Sequence, residues 1–228
     1  MDADGDDGKI NYVDEKVSYT TRREYLSEDV VDNYVPNRFT GALGRYRFRR
    51  EQNAVNSLIN QVPAAEIQSI LDCPTGIGRW LPNLAVLRPA HIMAVDVSPT
   101  MLSRAKTVEL PGVSIGFKEG VAERLPFEED SFDLVFCHAL LKHLPEQVEF
   151  DVINELARVT SQYVIVAASV RRGFGGVVRK FRNPKGRAVS VSRPRFEQAV
   201  RDAGLCVVDS RKATTPLGSE YSYLLRKG

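Results

Sequence analysis

The segment ILDCPTGIGRW, Ile70 to Trp80, carries an apolar run that ends on an acid, then a turn with two glycines, then a helix-like stretch. A second apolar run, HIMAVD, ends on Asp96, twenty residues beyond Gly76. A chain that reverses tightly from strand to helix passes through φ values that a side chain disfavours, and a backbone that approaches a ligand closely has no room for a Cβ. Gly76 and Gly78 meet both needs. The spacing places Asp96 at the end of the next strand, where a carboxylate can accept hydrogen bonds from ribose hydroxyls. Strand, turn, helix, strand and acid together predict the first βαβ unit of an open α/β sheet that binds a nucleotide-like ligand.

A dinucleotide fingerprint requires a third glycine for close helix packing, and here that position is Leu81. A nicotinamide or flavin cofactor is therefore disfavoured. Downstream, strands are expected near Ile67–Asp72, His91–Asp96, Val113–Phe117, Asp133–Cys137 and Tyr163–Ala168, with helices between them. Val148, Val152, Leu156 and Val159 form one apolar stripe after the fourth strand, and Val55, Leu58, Ile59 and Val62 form another before the first. The close reads as a helix over Arg195–Ala203 stopped by Gly204, then strands over Leu205–Ser210 and Glu220–Arg226 in a hairpin. The expected fold is α/β: a doubly wound, mostly parallel seven-stranded sheet with an antiparallel last strand, helices on both faces and an N-terminal helical lid.

At 228 residues and 43% hydrophobic content, one domain of ordinary size suffices. The expected division is a disordered acidic tail over 1–16, with four aspartates in its first seven positions, and a single domain over 17–228 whose lid is 17–64. A net charge of +2 does not by itself imply a nucleic-acid partner. Cys73, Cys137 and Cys206 show no C-x-x-C spacing, so neither a zinc site nor a disulfide framework is indicated, and no carboxylate and histidine cluster suggests a metal. The acidic start differs from a secretory signal, and the longest apolar run, Tyr163–Ala168, is too short to span a bilayer. A soluble cytoplasmic protein is expected.

ILDCPTGIGRW resembles the first motif of the class I, Rossmann-like methyltransferases that depend on S-adenosylmethionine. HIMAVDVSPTMLSRAK is similar to their second motif, and VSIGFKEGVAERLPFEEDSFDLVFCHALLKHL to their third and fourth, including Leu-Pro-Phe and Ser-Phe-Asp-Leu-Val. The likeness runs in register from Ile67 to about Val170 and is of the methyltransferase type 11 kind. It implies S-adenosyl-L-methionine as cofactor, with Asp72 organising the glycine turn and approaching the methionine amino group; an ordinary capping carboxylate is the competing reading. Thr75, Gly76 and Gly78 would follow the cofactor along the turn, and Asp96 with Val97 would hold the ribose. Met101 would lie against adenine or simply fill the core.

The chain departs from the family pattern twice. Pro74 replaces the first glycine, which is tolerable only if that position needs no positive φ. Where the family commonly has Gly-Asp, with the aspartate reading the adenine amine, this chain has Gly120-Val121. Either Glu123 or a backbone carbonyl then receives the amine, or adenine is held by apolar contact and the N–H of Ala122.

After the fourth strand come His138 and His143, beside the place of methyl transfer. Histidine suits removal of a proton from the nucleophile, His138 better because it directly follows the strand; a packed or solvent-facing ring is the alternative. Nine Lys or Arg residues and no acid lie between Val170 and Phe196, Arg179, Lys180 and Arg182 among them. They are either a solvated basic loop or a flap that receives an anionic acceptor. Arg45, Arg47, Arg49 and Arg50 could face the same opening. The function expected is methyl transfer to a small-molecule or lipid- or glycan-linked acceptor. The alternatives are a nucleic-acid (RNA) methyltransferase, less favoured because no N-P-P-Y-like tetrad follows the fourth strand, and a catalytically idle S-adenosylmethionine-binding partner protein.

Overall fold

The structure, a computed structural model, describes residues 41–171, 191–213 and 220–228. The expected acidic tail, positions 17–40 of the lid, and Arg179, Lys180 and Arg182 lie outside these residues.

Runs that are apolar on both faces make the centre of a parallel sheet, because helices cover both sides. Strands β1 (Ser69–Asp72) and β4 (Phe132–Cys137) are such runs and lie side by side. Outward from β1 come β2 (His91–Asp96) and β3 (Ser114–Glu119), both parallel to it. Outward from β4 come β5 (Thr160–Arg171), parallel, then β8 (Glu220–Lys227) and β7 (Leu205–Lys212), antiparallel. The order is therefore β3-β2-β1-β4-β5-β8-β7, as the hairpin reading predicts, with the two-residue β6 (Val191–Ser192) pairing beside β5 as an eighth strand. The chain order reverses at β1, so a crevice opens at the carboxyl ends of β1 and β4, where open α/β sheets bind ligands.

Five helices among the described residues clothe the sheet. On one face the apolar stripe of α1 (Gly41–Ile59), with Val55, Leu58 and Ile59 fully buried, meets Trp80, Leu81 and Leu84 at the start of α2 (Leu81–Leu84). Helix α3 (Pro99–Ala105) packs over β2 and β3. On the other face, Val152, Leu156 and Val159 of α4 (Glu146–Val159) join Phe196 and Val200 of α5 (Arg193–Asp202). The described part of the segment expected as a lid is thus a helix whose second half belongs to the core.

Three expectations need correction. The helix after β1 has only four α-helical residues and one 3-10 turn, Ala85–Leu87, because Arg88 adopts a left-handed φ of 54° and Pro89 follows. Strand β5 runs past Tyr163–Ala168 at both ends, since pairing with β4 reaches back to Thr160 and pairing with β8 and β6 carries it on to Arg171. Helix α5 begins at Arg193, two residues before the expected start at Arg195, with Pro194 in its first turn, so the last two cations of the basic run, Arg193 and Arg195, are helix residues. Arg193 pairs with Glu197 at 2.6 Å, and Arg195 lies over the Phe150 ring.

Candidate active site

The turn after β1 is built from backbone bonds to both neighbouring strands. Cys73 N donates to Phe136 O at 3.0 Å and Thr75 N to Val95 O at 2.8 Å. The Cys73–Pro74 peptide is cis. Asp72 is fully buried: Oδ2 accepts the Thr75 hydroxyl at 2.8 Å, and Oδ1 has no hydrogen-bond partner among the described residues. Burial, opposed by the Thr75 bond and assisted by the Asp96 charge, pushes its carboxyl up to about 7.

Asp96 closes the other side. Its Oδ2 accepts the Gly76 N–H at 2.8 Å and its Oδ1 the Ser98 N–H at 2.9 Å. Burial raises this carboxyl too, against the pull of those N–H groups. Ser98 caps α3 by accepting the Met101 N–H at 3.3 Å, and Met101 is buried. Val97, between acid and cap, is half-buried.

The two glycines differ in purpose. Both have positive φ, +56° at Gly76 and +76° at Gly78. A Cβ at Gly76 would meet nothing within 4 Å, so this residue fronts open space. A Cβ at Gly78 would stand 3.0 Å from Leu81, 3.1 Å from Val108 and 3.2 Å from the Ala105 backbone, so Gly78 lets the end of α3 close on the turn.

Beyond β3, Gly120 N donates to Asp96 O at 3.1 Å, and the Val121–Arg124 bridge sets Ala122 and Glu123 at the tip of a tight turn. Ala122 is buried, and Glu123 Oε1 is buried with no partner among the described residues. Glu123 and Asp72 both reach the end of β4: burial first, then these two charges, pushes the Cys137 thiol well up. The turn is clamped from α4, where Glu155 accepts the Leu125 N–H at 2.6 Å and Arg158 donates to Phe127 O at 2.8 Å. The motif gave no hint of this clamp, because its two halves stand about one helix and one strand apart in sequence.

His138 directly follows β4 and is buried, its ring centroid 4.8 Å from that of Trp80. It lines a recess with Glu51, Ala139, Lys142, Ala168 and Glu220. His143 closes the next 3-10 turn, Leu141–His143, and does not line that recess. Lys142 and Glu220 pair at 2.5 Å across the mouth. Arg79 donates to Glu51 at 3.1 Å and sits 3.5 Å from His138 Nδ1. Sequence reasoning missed Glu51, Arg79 and Glu220; of these, Arg79, one residue past the second glycine, carried a positional signal, and Lys142 was legible from its place beside His138 and His143 after the fourth strand.

The crevice therefore presents a buried unpaired carboxylate oxygen, a second carboxylate fixed to the glycine turn, and open space over Gly76. An ammonium group suits Asp72, and a ribose suits the rim at Asp96. Residues 70–162 match the family model described as a methyltransferase domain. These residues carry a methyltransferase domain, in the fold of the class I, S-adenosylmethionine-dependent methyltransferases.

Among curated relatives, this methyltransferase domain is 28% identical over 139 residues to a demethylmenaquinone methyltransferase of Lactiplantibacillus plantarum, covering 59% of this chain and 56% of that protein. It is 30% identical over 129 residues to an uncharacterised protein of Haemophilus influenzae, covering 55% of this chain and 51% of that one. The chain spans about half the length of these curated relatives. In fold it is similar to magnesium protoporphyrin IX methyltransferase of Synechocystis with bound S-adenosylhomocysteine, with a TM-score of 0.72 at 18% identity, covering 92% of this chain and 99% of that one. The cofactor of the family is S-adenosylmethionine.

Proposed function

We propose that this chain transfers a methyl group from S-adenosylmethionine to a small-molecule or lipid-linked acceptor bound in the recess beside His138. The observation that carries this reading is the juxtaposition at one switch point of a crevice lined by Asp72, Gly76 and Asp96 and a recess on the adjoining strand ends. When bound, the cofactor supplies a methyl carbon made electrophilic by its sulfonium. Asp72 would bind the amino group, Asp96 the ribose hydroxyls, and Met101, Ala122 and Glu123 the adenine side. Gly78 and Thr75 keep the turn in shape for this contact.

The recess would orient the acceptor and keep water out, which is the main demand of an in-line displacement. Its walls include the short side chains of Ala139, Ala167, Ala168 and Ala213. The names of the relatives support a small organic acceptor, since demethylmenaquinone and magnesium protoporphyrin IX are such molecules. Cytoplasmic residence is part of the proposal and accords with three free cysteines; no helix among the described residues is long and apolar enough to cross a membrane.

Incubating the protein with methyl-labelled S-adenosylmethionine and cell extract, then separating small molecules, lipids and nucleic acids, tests the reading. Label in the small-molecule or lipid fraction is expected. Label in RNA would favour the nucleic-acid alternative, and cofactor binding with no transfer to any fraction would favour the idle partner.

A further inference from the structure

Helix α1 changes character at Glu51. From there on it buries Glu51, Ala54, Val55, Leu58 and Ile59, whereas, Leu43 aside, none of the residues from Gly41 to Arg50 is buried. The contacts along the helix explain the break. Gln61, just past its end, donates to Asp209 at 2.8 Å, Ser57 accepts from Arg211 at 3.3 Å, and Glu51 stands in the recess with Ala213. Followed backwards, α1 therefore climbs along β7 towards its carboxyl end, and β7 points the same way as β5 because each is antiparallel to β8. Residues 41–50 continue past the strand ends for roughly 15 Å of helix. They project at the end of the sheet where the crevice opens.

This projecting half reads GALGRYRFRR and contains no acid. Arg45, Tyr46, Arg47 and Arg49 are exposed, Tyr46 by 48%, and Arg50 is half-buried. Among the described residues the four arginines make no hydrogen bond or ion pair. Each residue turns the chain by about 100° around the axis, so Arg45 and Arg49 share one flank, Arg47 and Arg50 share another, and Tyr46 lies between the two. Like charges three or four residues apart cost a helix stability, and here no acid offsets them.

We propose that the projecting half of α1 docks this protein on a bilayer surface rich in anionic lipid, with its guanidinium groups on lipid phosphates and the Tyr46 ring at headgroup level. Arginine forks match phosphate oxygens, and a tyrosine ring suits the boundary between headgroups and acyl chains. Cations on both flanks of a convex helix can meet a plane of phosphates, whereas a nucleic-acid strand calls for cations along a groove. The apolar stripe of α1, from Val55 on, is buried in the core, so the attachment is electrostatic and reversible and involves no insertion of the helix. Docking turns the crevice towards the leaflet, where a lipid-linked acceptor would lie. That consequence rests on the methyl-transfer reading; the docking itself does not.

Flotation of the full chain with vesicles tests the proposal. Vesicles of phosphatidylcholine and phosphatidylglycerol in equal parts should carry the protein at low salt, pure phosphatidylcholine should not, and molar salt should release it. The triple variant Arg45→Gln, Arg47→Gln, Arg49→Gln should bind the mixed vesicles on the order of 100-fold more weakly, since each cation near such a surface contributes about fivefold. Tyr46→Ser should bind more weakly while keeping the preference for anionic lipid. A second triple variant, Lys106→Gln, Arg201→Gln, Arg226→Gln, removes three exposed charges from the opposite end of the sheet and should bind nearly as the native protein does.

Equal losses in the two triple variants would overturn the role of α1, and equal binding to the two kinds of vesicle would overturn electrostatic docking. Binding to neither would make the arginines a solvated face. A polyuridylate oligomer that binds the native chain but not the α1 variant, with vesicles left unbound, would assign the face to nucleic acid instead. The native protein's response to lipid charge and salt decides the matter even if a variant misfolds. Vesicle binding is read without cofactor, so titration with S-adenosylhomocysteine tests the methyl-transfer reading separately.

Discussion

Asp72 is a carboxylate that the fold buries at a cost and leaves half unpaired. Its carboxyl is pushed up to about 7 from 3.8, so between these values the native state holds a proton that the unfolded chain has lost. The stability tied to that proton is full below about pH 4 and is lost as pH rises through about 7. Asp72→Asn should therefore stabilise the cofactor-free protein by on the order of 4 kcal/mol at pH 8, at about 1.4 kcal/mol per unit, and by clearly less at pH 5. Urea denaturation at the two pH values measures this; an equal effect at both would mean that Asp72 titrates as an exposed acid. The same variant should weaken S-adenosylhomocysteine binding at pH 8, since an amide offers the ammonium no charge. In the native protein, affinity should fall by up to about tenfold per pH unit below about 7 and stay flat just above it, because Asp72 must release its proton to receive an ammonium. Calorimetric titration across pH 5.5 to 8 reads that slope directly. The sequence pointed to Asp72 and Asp96 through strand-end position, but not to their burial. Nor could it show that Asp96 already accepts the N–H groups of Gly76 and Ser98.

Within the βαβ element, the G-x-G pattern does not say which glycine serves the ligand and which serves packing. The distinction depends on Ala105 and Val108, which stand in the next helix and its exit and touch the turn only when α3 folds back. Gly78→Ala should destabilise the protein by about 2 kcal/mol, from positive φ plus a crowded Cβ, with Tm falling accordingly. Gly76→Ala should cost about 1 kcal/mol from φ alone and act more on S-adenosylhomocysteine affinity, because its Cβ would enter the open crevice. Thermal melts and calorimetry on both variants check the contrast; a larger affinity loss at Gly78 would reverse the assignment. The Ser98 cap and Pro99 start of α3 were legible because capping is local. The short helical segment after β1 was not, since the 3-10 turn that follows α2 is ended by the left-handed Arg88, a conformation that arginine does not advertise.

Across the whole molecule, the order of strands followed from short connections and from the last hairpin, both visible as spacing. The recess beside His138 was not visible, because it is assembled by topology. Glu51 meets Arg79 across 28 residues, Arg79 meets His138 across 59, and Lys142 meets Glu220 across 78. No local pattern links such partners. The Glu51–Arg79 pair also ties α1 to the turn after β1, so Glu51→Gln should lower stability by about 2 kcal/mol, less than a fully buried pair would. An unchanged urea midpoint would mean that α1 is held by its apolar stripe alone. The central claim is that the crevice at β1 and β4 holds the adenosyl cofactor through Asp72, the Gly76 turn and Asp96. Isothermal titration of the protein with S-adenosylhomocysteine and, separately, with NAD tests it most directly. The account predicts micromolar binding of S-adenosylhomocysteine, weakened by roughly 2 kcal/mol in Asp96→Ala, and none of NAD. Binding of NAD without S-adenosylhomocysteine would contradict it.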